Sequence, residues 1–361
     1  MREPNRKPGQ KLSRRQFLRQ AAVGIGGALL AAVPRTIAVG QDAKVAWILV
    51  GPIGDFGWSW SHEQGRLDVA QRMTNVDTMV AEAVVEPDFD RVARQFIAQG
   101  VRLIFACSAS YQPQLLELAP QFPNVGFEFT DPTRLRRLSN LSSYYPRLYQ
   151  LEYLKGFTAG QMLRHLGMTD PIAGYVTSFK FPLTIRTANA YHVGLRNVLP
   201  EAQTRVVFLN TWFNPLLEKE AGLALVDTGV STLSTYLDSP AVLEAGEETG
   251  VLNTGSNVDM RRFAPNTNMV NNVLNWGPYY RSRVQASIDG TWEDTDTWEP
   301  IGGKYGLSDL GPFGRAVPND VIKAVLEERN VLISAKREIF PGMSDDELRR
   351  MDFWVDGISG V

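Results

Sequence analysis

The sequence predicts an α/β fold of two doubly wound lobes, each a parallel sheet with helices on both faces. Three observations lead there. Short apolar runs alternate with amphipathic stretches from Lys44 onward, which is the pattern of strands joined by crossover helices. The alternation passes through two cycles, and a chain of 361 residues has room for about two domains. With 44% hydrophobic and 21% charged residues, the composition suits packed cores and excludes a disordered chain.

The elements follow in order. KVAWILV (44–50) reads as a buried strand, and 62–73 has helical spacing. TMVAEAVV (78–85) is a strand and FDRVARQFIAQG (89–100) a helix that stops at Gly100, where the missing Cβ tolerates a positive φ. VRLIFAC (101–107) and NVGFEFT (124–130) are strands, with a helix near 112–119 between them. A long helical stretch, 148–166, opens the second cycle. IAGYVTS (172–178), TRVVFLN (204–210), TLSTYL (232–237) and GVLNTG (250–255) are its strands. Residues 184–197, 215–228 and 240–249 are the helices between them. Segment 256–361 is less periodic, with helices expected over 277–289 and 318–329 and more than one crossing between lobes. The domain plan is a leader (1–40), an N-terminal lobe (41–147, with part of 256–361 returning to it), a C-terminal lobe (148–255) and crossover segments (256–361).

The leader carries SRRQFLR (13–19) before AAVGIGGALLAAV (21–33), then Pro34, Arg35 and small residues. Twin arginines followed by an aromatic-leucine pair and a mild apolar run form a Tat-type export signal. The apolar run has 13 residues, short of the roughly 20 that span a bilayer. Small residues permit cleavage after Ala38 or Gly40, and the mature protein is expected in the periplasm. An uncleaved anchor or a basic amphipathic N-terminus is the alternative.

Charge and chemistry-bearing residues exclude several classes. Residues 1–40 hold eight Lys/Arg and one Glu, so the remainder has 29 basic against 38 acidic residues, a formal −9. A chain that acidic is a poor nucleic-acid partner. A single cysteine, Cys107, excludes an internal disulfide and a thiolate zinc cluster. It also lies too deep in the chain to be a lipidated first residue. His62, His165 and His192 show no metal-ligand spacing. No cofactor and no metal are expected, and no GxSxG, HExxH, CxxC or dinucleotide fingerprint points to an enzyme.

In open parallel sheets ligands bind beyond the carboxyl ends of strands, so those loops bear the chemistry. After the first strand comes GPIGDFGWSWSHEQGR (51–66), in which Phe56, Trp58 and Trp60 stand in a Gly-rich loop. Large rings there form a stacking surface or else plug the core beside the first helix. His62 is a hydrogen-bonding group at a helix start. In the second lobe Trp212 and Phe213 follow one strand, Asp238 the next, and Asp259 the one after. Trp276, Tyr279 and Tyr280 sit near a later helix start. An isolated Asp at a helix start is ordinarily a cap, but recurrence beside Trp suits a flat, neutral, donor-bearing ring. The carboxylates would repel phosphate.

These segments resemble the basic membrane protein (BMP, PnrA-like) family of ABC-transporter substrate-binding proteins. The likeness runs from about Lys44 to the C-terminus. It rests on VGPIGDFGWSWSHEQGR, YYPRLYQLEYLKGFTAGQM (144–162), SFKFPLTIRTANAYHVGLRNVLP (178–200), NTWFNPLLEKEAGLALVDTGV (210–230), YLDSP (236–240), NWGPYYRSRVQASIDGTW (275–292) and DELRRMDFWVDGISG (346–360). The NWGPYY motif (275–280) resembles that of the branch associated with purine bases such as adenine, rather than the nucleoside-binding branch. The resemblance implies a type I periplasmic-binding-protein fold, two α/β lobes joined by hinge strands. It implies closure on a purine base or nucleoside, with delivery to an ABC permease and ATPase by a monomer.

The implied ligand-binding residues are Phe56, Trp58, Trp60, Trp212, Asp238, Asp259 and Trp276. Tyr144, Arg147 and Tyr149 match the first inter-lobe connection and set either the hinge or the ligand wall. Arg186 and Asn189 match the helix after SFKFP, as ligand contacts or as structure. Asn214 stands where the family has Asp, Lys180 interrupts an apolar-proline loop, and CSASYQ (107–112) lacks the expected glycines. Lys180 either favours a ligand with partial negative charge, such as an oxidised purine, or is an exposed lysine. The competing functions are a periplasmic sensor for a signalling partner and a Tat-exported nucleoside hydrolase or cofactor enzyme.

Overall fold

The computed structural model describes residues 43–131 and 138–360. The Tat signal read at 13–33 and its cleavage positions lie outside the described residues. The first sheet contains β1 (Ala43–Leu49), β2 (Val76–Ala81), β3 (Leu103–Cys107), β4 (Gly126–Thr130), β5 (Leu141–Pro146) and β11 (Asp296–Glu299). Their order is β11-β5-β4-β3-β1-β2, and every pairing is parallel. The second sheet contains β6 (Ile172–Thr177), β7 (Gln203–Phe208), β8 (Thr232–Tyr236), β9 (Leu252–Gly255), β10 (Asn268–Leu274), β12 (Ser308–Leu310) and β13 (Ile358–Gly360). Its order is β12-β10-β9-β8-β6-β7-β13, and β12 alone runs antiparallel to its neighbour. Without β11, β12 and β13 the two orders are identical. Each sheet starts at an inner strand, steps outward, then reverses, which opens a crevice at the strand carboxyl ends.

The helices are α1 (Trp58–Arg72), α2 (Phe89–Ala98), α3 (Gln112–Leu118), α4 (Leu148–His165), α5 (Pro182–Arg196), α6 (Pro215–Asp227), α7 (Ala241–Thr249), α8 (Gly277–Ile288), α9 (Asn319–Ile333) and α10 (Asp345–Arg349). Because helices cover both faces, β1 and β3 are buried runs rather than alternating ones. α4 is buried on nearly every side and packs on α5. Gly156 and Gly194 allow that approach: a methyl on either would run into a carbonyl of the facing helix, Tyr191 O or Tyr153 O. The chain crosses from the first sheet to the second after β5, returns through α8 after β10, and crosses again between β11 and β12.

Several elements differ from the sequence reading. α1 starts at Trp58 rather than 62, so Trp58 and Trp60 belong to its first turn. β2 ends at Ala81 rather than 85. β5 and β10 to β13 carry no periodic signal. In β5 (LSSYYP), Ser142 Oγ accepts from Arg283 Nη2 at 2.9 Å and from Thr295 N at 3.0 Å. In β10 (NMVNNVL), Asn271 Oδ1 accepts from Gly255 N at 2.9 Å and Asn272 Nδ2 donates to Glu152 at 2.7 Å. Buried polar side chains that find such partners are tolerated in a core, but they erase the apolar pattern.

Candidate functional site

A cavity of about 830 Å³ lies between the carboxyl ends of the two sheets, walled by residues of both. Its geometry begins with Asp55 in the loop after β1. The buried carboxylate accepts the backbone N–H groups of Gly57 (2.7 Å), Ser59 (2.9 Å) and Trp60 (3.0 Å), which would otherwise be orphans at the start of α1. Ser59 Oγ accepts in turn from Gly51 N at 3.0 Å. Burial pushes the Asp55 carboxyl up to about 6, against the lowering effect of those N–H donors.

With α1 fixed, Trp58 faces the cavity from the first lobe. Its Nε1–H donates to the Cys107 carbonyl at 2.8 Å, and His62 and Trp276 back it at centroid distances of 4.6 and 5.5 Å. Trp212, just beyond β7, faces the same cavity from the second lobe. Tyr236 meets it edge-on at 5.7 Å and 90°, and Phe181 flanks it at 6.1 Å. Each lobe therefore presents one indole whose orientation is set by neighbouring rings and, for Trp58, a hydrogen bond.

Asp238, beyond β8, is the second buried carboxyl of the wall. Its Oδ1 accepts from Asn257 Nδ2 at 3.1 Å, and its backbone N donates to Trp212 O at 3.0 Å. Burial, then the Asp55 and Glu218 carboxylates, hold its carboxyl well above the usual carboxylate range. Tyr145 of β5 and Tyr236 of β8 share a hydroxyl hydrogen bond of 2.8 Å, joining the sheets at the wall. No Lys, Arg or His side chain lines the cavity among the described residues.

Trp58, Trp212 and Asp238 are thus brought together. The other four named residues lie outside the lining. Phe56 adopts φ = +54° and packs on Phe263 (5.6 Å) and under the Arg262 guanidinium (4.1 Å), both from the second lobe. Trp60 packs with Val258, Met260 and Ala264. Asp259 pairs with Arg261 at 2.7 Å, whose hydrogen bonds hold its carboxyl below the ordinary range. Trp276 is 1% exposed, stacks on His62 at 4.4 Å and 9°, and donates Nε1–H to Ser61 Oγ at 3.0 Å.

Other residues singled out in the sequence also have definite places. His62 is buried with Nδ1 2.5 Å from Tyr280 OH, and burial holds its pKa well below the ordinary value. Tyr144 stacks on Tyr279 at 4.6 Å, and Tyr149 packs beside Trp298 at 5.8 Å. Arg147 Nη2 donates to Asp345 at 2.6 Å. Arg186 Nη1 donates to Leu348 O, and Asn189 Nδ2 to Phe353 O, so both tie α5 to the C-terminal segment. Lys180 is exposed and outside the cavity lining. Asn214 caps α6, its Oδ1 accepting from Leu217 N at 3.1 Å, a role an Asp would also fill.

Sequence reasoning passed over Asp55, Tyr145, Phe181, Tyr236 and Asn257. Asp55 had a readable signal, an acid just before a helix. The tyrosines had none, because their meeting depends on two sheets 91 residues apart in sequence. Chemically the arrangement offers two indoles and a carboxyl group in a mostly apolar cleft. No group of three or more His, Cys, Asp or Glu able to hold a metal is present among the described residues.

The family described as ABC transporter substrate-binding protein PnrA-like matches residues 43–302. A purine-binding protein of Brucella abortus is 32% identical over 336 residues, spanning 88% of this chain and 93% of that protein. A putative ABC transporter glucose-binding protein of Haloferax volcanii is 30% identical over 327 residues, spanning 89% and 81%. Among solved structures, an ABC transporter solute-binding protein from Aeropyrum pernix superposes with a TM-score of 0.68 at 18% identity, covering 86% of this chain and 98% of that one. One from Conexibacter woesei gives 0.66 at 22%, covering 82% and 98%.

Proposed function

The chain belongs to the PnrA-like family of ABC transporter substrate-binding proteins, and from that premise we propose that it captures a purine base or nucleoside. The family is one of transporter binding proteins rather than enzymes. The observation that carries the ligand assignment is the pairing of Trp58 and Trp212, one from each lobe, across a cavity that also holds Asp238 and no cationic side chain among its described lining. An indole face binds the π-face of a base, worth roughly 1–3 kcal/mol per ring. A carboxylate accepts hydrogen bonds from ring N–H, exocyclic amino or ribose hydroxyl groups. Phosphate finds two acids and no base there, so nucleotides are disfavoured.

Glucose, the ligand named for the Haloferax relative, would also use an aromatic face. Its rim of hydroxyls asks for more hydrogen-bonding partners than a base does, and the exposed lining is mostly apolar, which favours the purine. The ligand would contact both lobes, and its extra contacts in the closed form would select that form. Delivery to an inner-membrane permease with its ATPase, export by the Tat pathway and function as a monomer complete the proposal.

The test is a thermal-shift series with adenine, hypoxanthine, adenosine, AMP and glucose. A ligand that binds only the folded state raises stability by about 2.7 kcal/mol at 100 Kd. A shift with a base or nucleoside and none with AMP is expected. Silence across all purines with a shift from glucose would overturn the assignment and leave the fold intact.

A further inference from the structure

Away from the cavity lining, three guanidinium groups surround one indole where the crossing segments meet. Arg147, which follows β5, lies 4.6 Å from the Trp298 ring centroid; Arg349 of α10 lies at 4.5 Å and Arg186 of α5 at 5.5 Å. Trp298 itself is in β11. Arg147 reaches Asp345, and Arg349 Nη2 reaches Asp296 at 3.3 Å. Arg186 is different. It is 2% exposed, its Nη1 donates to the Leu348 carbonyl, and among the described residues it has no carboxylate partner.

Three buried donors in this cluster have no acceptor: Arg186 Nε, Arg349 Nη1 and Trp298 Nε1. A buried charge without a counter-charge is costly, and buried donors are ordinarily paired. Arg186 responds to its surroundings in that direction: burial lowers its pKa to about 10. The tyrosines nearest it, Tyr145, Tyr149 and Tyr236, are neutral at pH 7 and cancel no charge. All three orphan atoms are donors, so an occupant that only accepts, and is negative, satisfies them better than a water molecule with two protons to place.

We propose that the Arg186–Arg349–Trp298 cluster is a binding site for a small inorganic anion of the halide class. Its groups come from both lobes: Trp298 from the first sheet, Arg186 from a helix packed beside the second. The bound anion therefore fastens the crossing segments to one another. The site is independent of the purine assignment.

Two measurements on the folded protein test it. Crystals containing bromide should show an anomalous peak within hydrogen-bond distance of Arg186 Nε and Arg349 Nη1. In solution, replacing gluconate by chloride or bromide at constant ionic strength should raise Tm by roughly 2–4 °C and saturate in the millimolar range. In Arg186→Met, which keeps much of the volume and removes the charge, that rise should disappear. Should this variant fail to fold, Arg349→Gln and the wild-type peak and titration decide. Absence of a peak, ordered water in its place, or a peak only at molar bromide with no saturable Tm rise would overturn the site.

Discussion

Removing the Trp212 indole separates ligand stacking from core packing. Its ring lines the cavity and is bordered by Tyr236 at 5.7 Å and Phe181 at 6.1 Å. Truncation to Ala removes one stacked face from the ligand, roughly 1–3 kcal/mol, or about a 5- to 150-fold rise in Kd. On the protein side it removes edge contacts with two rings, about 0.5–1.5 kcal/mol each. The ring is only half-buried, so a Tm decrease of roughly 4–8 °C is the upper end. Isothermal titration with adenine, beside scanning calorimetry of the free protein, reads both quantities. Trp212→Phe keeps a face and should recover most of the affinity. A Trp212→Ala protein that binds adenine within twofold of wild type would refute the placement of this ring on the ligand.

Trp276→Ala should behave oppositely: an almost fully buried ring with its own hydrogen bond is lost, costing about 3–5 kcal/mol in urea unfolding; a small stability loss with a large affinity loss would return Trp276 to the site. Gly57→Ala places a methyl against the Asp238 backbone across the lobe rim. It should raise Kd at least tenfold while the unfolding midpoint stays near wild type, and unchanged binding would show that the rim is not closed on ligand. Arg262→Ala removes the guanidinium over Phe56, about 0.5–1 kcal/mol at an exposed site. Stopped-flow should then show ligand release about two- to fivefold faster at an unchanged association rate, and equal release rates would dismiss the contact as a clasp. Asp55, with its folded pKa raised to about 6 from 3.8, binds a proton more tightly folded than unfolded. Its contribution to stability is therefore full below about pH 4 and lost as pH rises through 6, about 3 kcal/mol in all. Urea unfolding at pH 4.5 and 7 should show a smaller pH difference in Asp55→Asn than in wild type, and equal differences would count against a buried, raised carboxyl.

The alternation that revealed both sheets was legible because their central strands are buried on two faces and bounded by Gly, Pro and amphipathic helices. It failed where burial is polar. Ser142, Asn271 and Asn272 sit in the core on partners that come from other segments: the Arg283 side chain, the Gly255 backbone N–H and the Glu152 side chain. The site was half legible for a related reason. Trp58, Trp212, Trp60 and Trp276 give the same signal, a large ring near a strand end or helix start. Which of them lines the cavity depends on partners no local window holds: Cys107 O orients Trp58, whereas Ser61 and His62 take Trp276 into the core. Asp238 and Asp259 likewise look alike until Arg261, two residues away, is seen to occupy Asp259.

If ligand closes the lobes as proposed, the two wall carboxyls connect binding to that closure. At the rim Gly57 meets the Asp238 backbone and Phe56 meets Phe263, so the loop that Asp55 organises is pressed onto the second lobe. That approach is what places Asp55 near Asp238 and adds to the rise of the Asp238 carboxyl. In the proposed closing step that repulsion is an electrostatic cost. Proton uptake by Asp238, or hydrogen bonds that a ligand donates to it, would lower the cost, and stacking alone would not. Population shift requires an interaction that differs between the two forms, and in the proposed closing step the donor is that interaction. A purine with an N–H or amino group facing Asp238 should close the lobes, whereas an N-alkylated analogue of equal ring area should stack yet leave the closed population low. Small-angle scattering with each ligand at saturation distinguishes them, and equal compaction by both would remove the carboxyl from the closing step.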